Sequence, residues 1–180
     1  MFYVSQPTST PRTEFYSPVQ KMIYETIEKL GIQFTRVEND PGITMEDCLN
    51  IDKALDMQTV KTILLTNRQK TMLYLYITPG DKPFVTRDFS NAMGISRVSF
   101  APEELMIELL GTGHGSATLL SVIADTDCKV NVVIDGKVAD SEWFGCTDGD
   151  ARGFFKLRTS DVLNHYLPAT NHTHTVINQE

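Results

Sequence analysis

This chain contains no long apolar run. None of its segments approaches the roughly 18 apolar residues that a membrane-spanning helix needs, so the sequence predicts no membrane span. Residues 1–20 are polar, include three prolines, and lack the basic and then apolar pattern of a secretory signal peptide. These absences together predict a cytoplasmic protein.

Cysteine is also scarce. The three cysteines, Cys48, Cys128 and Cys146, are far apart and form no CxxC pair, which argues against a disulfide framework or a zinc site. His172 and His174 lie close together, but no acidic or cysteine partner has useful spacing, so we expect them in a solvated tail. We therefore expect no metal site, and Cys146 lacks a sequence signal for an activating base.

Basic residues are outnumbered. Against 23 Asp and Glu there are 16 Lys and Arg, which gives a formal net charge of −7 and a pI near 5.1. An extended nucleic-acid interface normally appears as a basic domain, so this composition argues against one. A small local contact with one nucleic-acid end remains compatible with it.

Helical and strand patterns alternate along the chain, as in a mixed α/β domain. Ser17 and Pro18 predict the start of an amphipathic helix that ends at Gly31. β-Branched and aromatic residues at 60–66 and 71–78, with a polar turn between them, predict a hairpin. We expect one domain over residues 1–168, followed by a polar, frayed tail at 169–180.

Three segments could carry chemistry, and each also has a structural interpretation. The pair Lys61-Thr62 begins an apolar strand, where a half-buried ammonium could bind a phosphate or polarise a carbonyl; the alternative is a solvent-facing lysine. Residues 111–118 contain three glycines and could bring backbone N–H groups to a ligand, or could serve only as a helix cap and connector. Residues 145–153 form a second glycine-rich segment, or a polar turn between strands.

Several separated segments, in the same order, resemble the YbaK/ProX family of prolyl-tRNA-synthetase-associated editing domains, and in particular its PrdX or ProXp-ala branch. The segments that carry the resemblance lie at residues 2–4, 24, 44–48, 60–69, 74–75, 79–84, 97–101, 145–146, 161–163 and 167–168, so that it covers nearly the whole chain. It implies a compact single α/β domain in which helices surround a mixed, barrel-like β-sheet. It also implies hydrolysis of mischarged tRNA, with Ala-tRNA(Pro) as the usual substrate, without a metal or organic cofactor. The implied partners are the aminoacylated acceptor end of tRNA and, transiently, prolyl-tRNA synthetase.

The resemblance assigns the family's key lysine to Lys61 and its glycine loop to residues 113–118. The implied catalytic residues are Lys61, Gly115 and Ser116. The implied substrate-binding residues are Thr44, Met45, Thr62, Gly113, His114, Ala117, Thr118, Thr147 and Asp148.

The sequence departs from the family pattern at three places. His114 stands where the glycine loop commonly has proline, and Thr62 where the ProXp-ala branch usually has asparagine. The late motif, commonly Gly-Cys-His-Pro-x-x-Asn, has Thr147 and Ala151 in place of its histidine and asparagine. Thr62 and the glycine/arginine ending of the late motif resemble the YbaK branch, which edits Cys-tRNA(Pro).

These departures leave several readings of the sequence open. One is a deacylase for Cys-, Ser- or Thr-charged tRNA, and another is a protein that binds aminoacyl-tRNA or an amino acid without hydrolysis. A third is a partner domain in amino-acid reduction. In an active enzyme, His114 could serve as the base, or the neighbouring ribose hydroxyl could orient the water.

Overall fold

The computed structural model describes residues 1–41 and 44–178. Within these residues the strands are β1 (Phe34–Glu38), β2 (Val60–Asn67), β3 (Leu73–Pro79), β4 (Val98–Phe100), β5 (Val130–Asp135), β6 (Trp143–Thr147), β7 (Gly153–Arg158) and β8 (His174–Ile177). The α-helices are α1 (Pro18–Leu30), α2 (Met45–Leu55), α3 (Thr86–Met93), α4 (Glu103–Leu110), α5 (Gly136–Ala139), α6 (Thr159–Asp161) and α7 (Leu167–Ala169). Two 3₁₀ segments, His114–Ser116 and Leu119–Ala124, and a π-helical segment, Val162–Tyr166, complete the helical structure described.

The first helix begins and ends as its sequence predicts. The Ser17 hydroxyl accepts a hydrogen bond from the Gln20 N–H at 3.2 Å, and Pro18 occupies the first turn. Gly31 ends the helix in the left-handed conformation, with φ of 67°, which a residue with a side chain adopts at a cost. α1 packs its apolar face into the main hydrophobic core, against the inner face of a sheet that contains Phe155.

The strands form two sheets. One has the order β1-β7-β6 and is antiparallel; the other has the order β4-β2-β3-β5-β8 and is mixed, because β3-β5 and β5-β8 are parallel. A parallel bridge between Thr59 and Gly145 joins them where β2 begins. The predicted fold class, a compact α/β domain with a mixed sheet and surrounding helices, is confirmed. Within the described residues, however, the two sheets do not close into a barrel.

The prediction that the chain beyond residue 169 is frayed is wrong for residues 170–178; residues 179–180 lie outside the described part. Residues His174–Ile177 form β8, which pairs in parallel with β5. The expected solvated position of His172 is wrong as well, since this residue is only 5% exposed. Its Nε2 lies 3.0 Å from Asp125 Oδ2, and its Nδ1 lies 2.8 Å from the Thr170 carbonyl oxygen. Backbone pairing and this buried contact fix the segment, and a polar sequence does not reveal either of them.

No helix among residues 1–41 and 44–178 has the length and apolar character needed to cross a bilayer.

Candidate active site

Part of one edge of β2, between β4 and β6, has no paired strand among the described residues, which leaves a gap in the sheet. On this edge β4 pairs only with residues 65–67 of β2, and β6 reaches only Thr59. Residues of an antiparallel strand point their N–H and C=O groups alternately toward one neighbour and the other. The Leu64 carbonyl accepts from the Ala101 N–H on this edge at 2.9 Å, so Thr62, two residues earlier, also directs its backbone groups there. In the described part of the chain no strand pairs with Thr62 on that side.

A small cavity of about 260 Å³ lies at this gap. It is lined by Thr62, Ile63, Leu64, Phe100, Ala101, Met106 and His114. Most of these side chains are apolar, and Thr62 and His114 are the polar residues of its lining. The cavity therefore combines a place for a small apolar group with hydrogen-bonding atoms at its edge.

The glycine-rich loop is held in a tight turn beside this cavity. Gly113 N–H donates to Ser116 Oγ at 3.2 Å, and Ser116 N–H donates to the Gly113 carbonyl at 3.1 Å. Glu103 Oε2, at the start of α4, accepts from the His114 N–H at 3.1 Å and lies 3.1 Å from His114 Nδ1. Among the described residues, the N–H groups of Gly115 and Ala117 have no hydrogen-bond partner. The loop thus presents free backbone donors at a fixed position.

The second glycine-rich segment supports the first. Thr147, at the end of β6, donates its hydroxyl to the Ser116 carbonyl at 2.8 Å and accepts from the Gly149 N–H at 3.3 Å. A Cβ on Gly115 would meet the methyl group of Ala151 at 3.9 Å, so the two segments are in contact there as well. The two segments that sequence analysis considered separately therefore form one unit.

Asp148, expected to bind substrate, is instead fully buried. Its carboxylate accepts hydrogen bonds from Tyr24 Oη at 2.6 Å, Gln20 Nε2 at 2.9 Å and Arg12 Nε at 3.0 Å. Burial and the nearby Asp148 charge raise the pKa of Tyr24 far above its usual range, so that its phenol stays a donor. These contacts tie the loop to α1 and to the N-terminal segment, and they leave Asp148 no accessible oxygen for a ligand.

Lys61, which was expected to be catalytic, does not lie at the gap cavity. Side chains alternate between the two faces of a strand. Leu64 contributes to the main core, whereas Ile63 packs in a second cluster around Phe89 on the opposite face, and Lys61 shares the face of Ile63. Its ammonium donates to the Lys82 carbonyl at 2.8 Å, and the residue does not line the gap cavity. The structure therefore brings Thr62 and His114 together, and it places the Lys61 ammonium elsewhere.

The other predicted residues occupy structural positions. Thr44 and Asp47 form a capping box at the start of α2, and Met45 is 81% exposed; neither Thr44 nor Met45 lines the gap cavity. Thr118 is fully buried and caps the 3₁₀ segment that follows it. Cys146 is buried, which raises the pKa of its thiol to about 12 and removes it as a thiolate nucleophile near neutral pH.

Sequence reasoning missed several residues of the cavity. Phe100 at the end of β4, Ala101 just after it and Met106 of α4 line the cavity, although they lie far along the chain from Thr62. Glu103, also of α4, contacts His114 at the border of the cavity. Within residues 1–41 and 44–178, no group of three or more His, Cys, Asp or Glu side chains is arranged to hold a metal ion.

The domain thus combines a small, mostly apolar cavity, an adjacent loop with backbone N–H groups that have no partner among the described residues, and a mixed α/β fold. Residues 40–164 match the family described as "Aminoacyl-tRNA editing domain", and the chain belongs to that family. The recognition of a YbaK/ProX-type editing domain from the sequence is thereby confirmed.

Two curated relatives are similar over much of the chain. Prolyl-tRNA synthetase associated domain-containing protein 1 of Danio rerio is 23% identical over 161 residues, which cover 88% of this chain and 86% of that protein. Prolyl-tRNA editing protein ProX of Acetoanaerobium sticklandii is 25% identical over 116 residues, which cover 64% of this chain and 71% of that protein.

Solved structures support the fold. A crystal structure of a candidate trans-editing enzyme for prolyl tRNA synthetase aligns with a TM-score of 0.63 at 16% identity, over 92% of this chain and 99% of that one. The crystal structure of hypothetical protein APE2540 aligns with a TM-score of 0.64, also at 16% identity, over 86% and 97% of the two chains. At such identities the likeness concerns the fold alone.

Proposed function

We propose that this protein is a trans-editing aminoacyl-tRNA deacylase, and that its substrate is mischarged Ala-tRNA(Pro). Membership of the editing-domain family supports the reaction class. The names of the relatives, an editing protein ProX and a prolyl-tRNA synthetase associated domain protein, support the link to prolyl-tRNA and a transient association with its synthetase. The observation that carries the proposal is the gap cavity, bordered by the glycine loop and by the Thr62 backbone.

The aminoacyl ester would bind with its side chain in the gap cavity. The cavity holds about 260 Å³ and is walled by Met106, Phe100 and Ala101, which suits a small side chain such as a methyl group. The Thr62 backbone, which no neighbouring strand pairs with on that side, can bind the α-amino group through its C=O. An apolar wall of this kind discriminates one methylene by about 1–3 kcal/mol. We therefore expect alanine to be preferred, and larger side chains to be excluded by size.

The loop would stabilise the transition state. Attack by water on the ester carbonyl produces an oxyanion, and the free N–H groups of Gly115 and Ala117 are the donors that could bind it. One well-placed donor of this type contributes about 2.7–4 kcal/mol. Ser116, proposed as part of the same catalytic group, closes the turn that fixes these donors, through its bonds to Gly113.

Two groups can activate the water. His114 borders the cavity, and the Glu103 carboxylate 3.1 Å from its Nδ1 orients the ring so that Nε2 is left to act as the base. The hydroxyl of the terminal ribose, adjacent to the ester, is the second candidate. The His114→Ala variant distinguishes the two candidates, because the loss of a general base lowers the rate of hydrolysis by about 10²–10⁴-fold. A loss of that size assigns the base to His114, and a loss below tenfold assigns the activation to the ribose.

We propose that Lys61 binds a phosphate of the tRNA. An ammonium has three N–H donors, and one of them is used by the Lys82 carbonyl. The remaining two could hold a phosphate of the tRNA 3′ end on the face of β2 opposite the acyl cavity. Lys61→Met keeps the length of the side chain but removes the charge. We expect it to raise KM more than it lowers kcat, whereas a catalytic ammonium would show the reverse.

The decisive experiment compares hydrolysis of Ala-, Cys-, Ser- and Thr-charged tRNA(Pro), with Pro-tRNA(Pro) as the cognate control. Fastest turnover of Ala-tRNA(Pro) supports the proposal, and fastest turnover of one of the other three assigns the family reaction to that amino acid. Absence of turnover with all of them, under conditions in which the protein binds the charged tRNA, would overturn the deacylase assignment.

That last outcome would favour the second candidate function, a binding protein without hydrolytic activity. It is supported by a specific feature: at the position of the family's late histidine the chain has Thr147, whose hydroxyl is already engaged by the Ser116 carbonyl. In either case we propose that the functional domain comprises residues 1–168 together with β8, which pairs with β5, and that it acts in the cytoplasm.

A further inference from the structure

The outer face of the three-stranded sheet is covered over only one half. Val37 of β1 and Phe154 of β7 lie opposite one another on this face, and they pack beneath α2 through Ile51 and Leu55. Toward the other end of the same strands no helix covers the sheet, in the part of the chain that the structure describes.

The uncovered half carries an aromatic ring between two cations. Register pairs Trp143 with Arg158 and Thr35 with Lys156, so these four side chains share the outer face. Lys156 Nζ lies 4.5 Å from the Trp143 ring centroid, and Arg158 Cζ lies 4.8 Å from it. We call Trp143, Lys156 and Arg158 the basic–aromatic patch.

A shallow cavity of about 390 Å³ adjoins the basic–aromatic patch. Its lining contains both cations, the tryptophan and the polar side chains of Gln33 and Thr35, but no carboxylate. Among the residues that the structure describes, the acidic contact of the patch is at its rim, where Arg158 Nη1 lies 3.4 Å from Glu142 Oε1 and both side chains are about half exposed or more. Such a rim pair contributes little and exchanges readily for another anion.

Strand β6 links the patch to the glycine loop beside the gap cavity. β6 runs from Trp143 to Thr147, whose hydroxyl contacts the glycine loop. Four residues at about 3.3 Å each separate the two ends by about 13 Å, the length of roughly four stacked nucleotides at 3.4 Å each. A second groove, of about 500 Å³, extends from Trp143 to Val60, two residues before Thr62. Its lining includes Lys82 and Lys137 together with the carboxylates of Asp81 and Glu142.

We infer that the basic–aromatic patch binds the unpaired 3′ end of tRNA, with a base stacked on Trp143 and phosphates held by Lys156 and Arg158. This inference rests on the proposed function, since it supplies the site for the nucleic-acid portion of that substrate. Surfaces that bind single-stranded nucleic acid combine aromatic rings with neighbouring cations, because every base has a face that can stack on a ring and every phosphate carries a negative charge. On a chain of net charge −7, a local basic patch is also what a polyanion requires.

Trp143 provides its own reporter, because it is the only tryptophan in the chain. Titration with an unacylated single-stranded RNA that ends in CCA, and with a full unacylated tRNA(Pro) transcript, should quench its fluorescence. In the double variant Lys156→Ala/Arg158→Ala, the slope of log K against log salt should fall in magnitude by about 1.4, at about 0.7 per removed phosphate contact. Trp143→Ala, followed with labelled RNA, should bind about 5- to 150-fold more weakly.

The matched control is Lys21→Ala, which removes an exposed cation of α1 with a side chain 60% exposed. It should leave the affinity and the salt slope of the wild type unchanged. Because the RNA is unacylated, binding is measured independently of hydrolysis. If the RNA quenches the fluorescence but no charged tRNA is hydrolysed, the proposed function is contradicted while the inference about the patch is supported. Absence of quenching by the RNA, or a double variant with the salt slope of the Lys21→Ala control, would overturn the inference.

Discussion

The contact between the two glycine-rich segments can be tested by removing one hydroxyl. Thr147 is 6% exposed, and its Oγ1 both donates to the Ser116 carbonyl and accepts from the Gly149 N–H. Thr147→Val preserves the shape of the side chain but loses both hydrogen bonds. It therefore leaves a buried N–H, that of Gly149, and a partly buried carbonyl, that of Ser116, without a partner.

The magnitude follows from these two contacts. A hydrogen bond between neutral groups contributes about 0.5–1.5 kcal/mol, and an unsatisfied buried partner adds to the loss. We expect Thr147→Val to lower the free energy of unfolding by about 2 kcal/mol. For a chain of this size 1 kcal/mol changes Tm by about 2–4 °C, so Tm should fall by about 4–8 °C. The displaced loop should also lower kcat/KM for the charged tRNA by about tenfold or more, because small misplacements of catalytic groups are costly.

Thr112→Val is the matched control. Thr112 is 2% exposed, and among the described residues its hydroxyl has no hydrogen-bond partner, so the same substitution removes no bond. Its Tm should stay the same or rise. Thermal unfolding followed by circular dichroism, together with deacylation kinetics, measures both effects. If the two variants had equal Tm and equal kcat/KM, the Thr147 contact would not support the loop and the reasoning would be refuted.

Three further predictions concern the rest of the fold. Burial raises the pKa of Asp135, but hydrogen bonds from Lys82 and other donors lower it by more, so that the net pKa is lowered. The resulting stabilisation is present above the unfolded-state pKa near 3.9 and is lost as pH falls through the folded-state pKa. In Asp135→Asn, the free energy of unfolding measured with urea should therefore fall less steeply as the pH is lowered. Cys146 should resist iodoacetamide in the native protein at pH 8 and react only after unfolding, as followed by mass spectrometry. His172→Ala should lower the free energy of unfolding by about 3 kcal/mol, because it leaves the buried Asp125 carboxylate without one partner; an unchanged urea midpoint would contradict this.

Local signals predict much of the fold. The cap at Ser17, the apolar periodicity and Gly31 define α1, and the alternation in residues 60–79 defines the β2-β3 hairpin; both are found in the structure. β6 was not predicted, because a short apolar stretch followed by a glycine-rich segment has the composition of a turn. β8 was missed for a different reason: its partner β5 is some forty residues away in sequence, and parallel pairing leaves no local signature.

The candidate site was predictable only in part. The glycine loop and Thr62 were identified by their resemblance to a family, and the structure places Thr62 and His114 at one cavity. The residues that complete the cavity come from β4 and α4, and no periodicity in the sequence indicates that a gap in the sheet edge brings them there. Lys61 and Thr62 are adjacent in sequence, yet on a strand adjacent side chains point to opposite faces. The resemblance assigned both residues to the site, whereas the structure places their side chains on opposite faces of β2.

The three departures from the family pattern are not scattered through the molecule. Thr62 and His114 line the same cavity, and Thr147 contacts Ser116 in the loop that carries His114. Two of the replacements have partners of their own: His114 lies beside the Glu103 carboxylate, and the Thr147 hydroxyl is satisfied by a carbonyl. Buried polar groups such as the Thr147 hydroxyl find partners in any stable fold, but His114 is an exposed residue that keeps an imidazole at the border of an open cavity, beside a carboxylate that can orient it. The arrangement therefore favours a rebuilt pocket, in which the late histidine's position supports the loop and the chemistry is carried by His114 or by the substrate's own ribose hydroxyl.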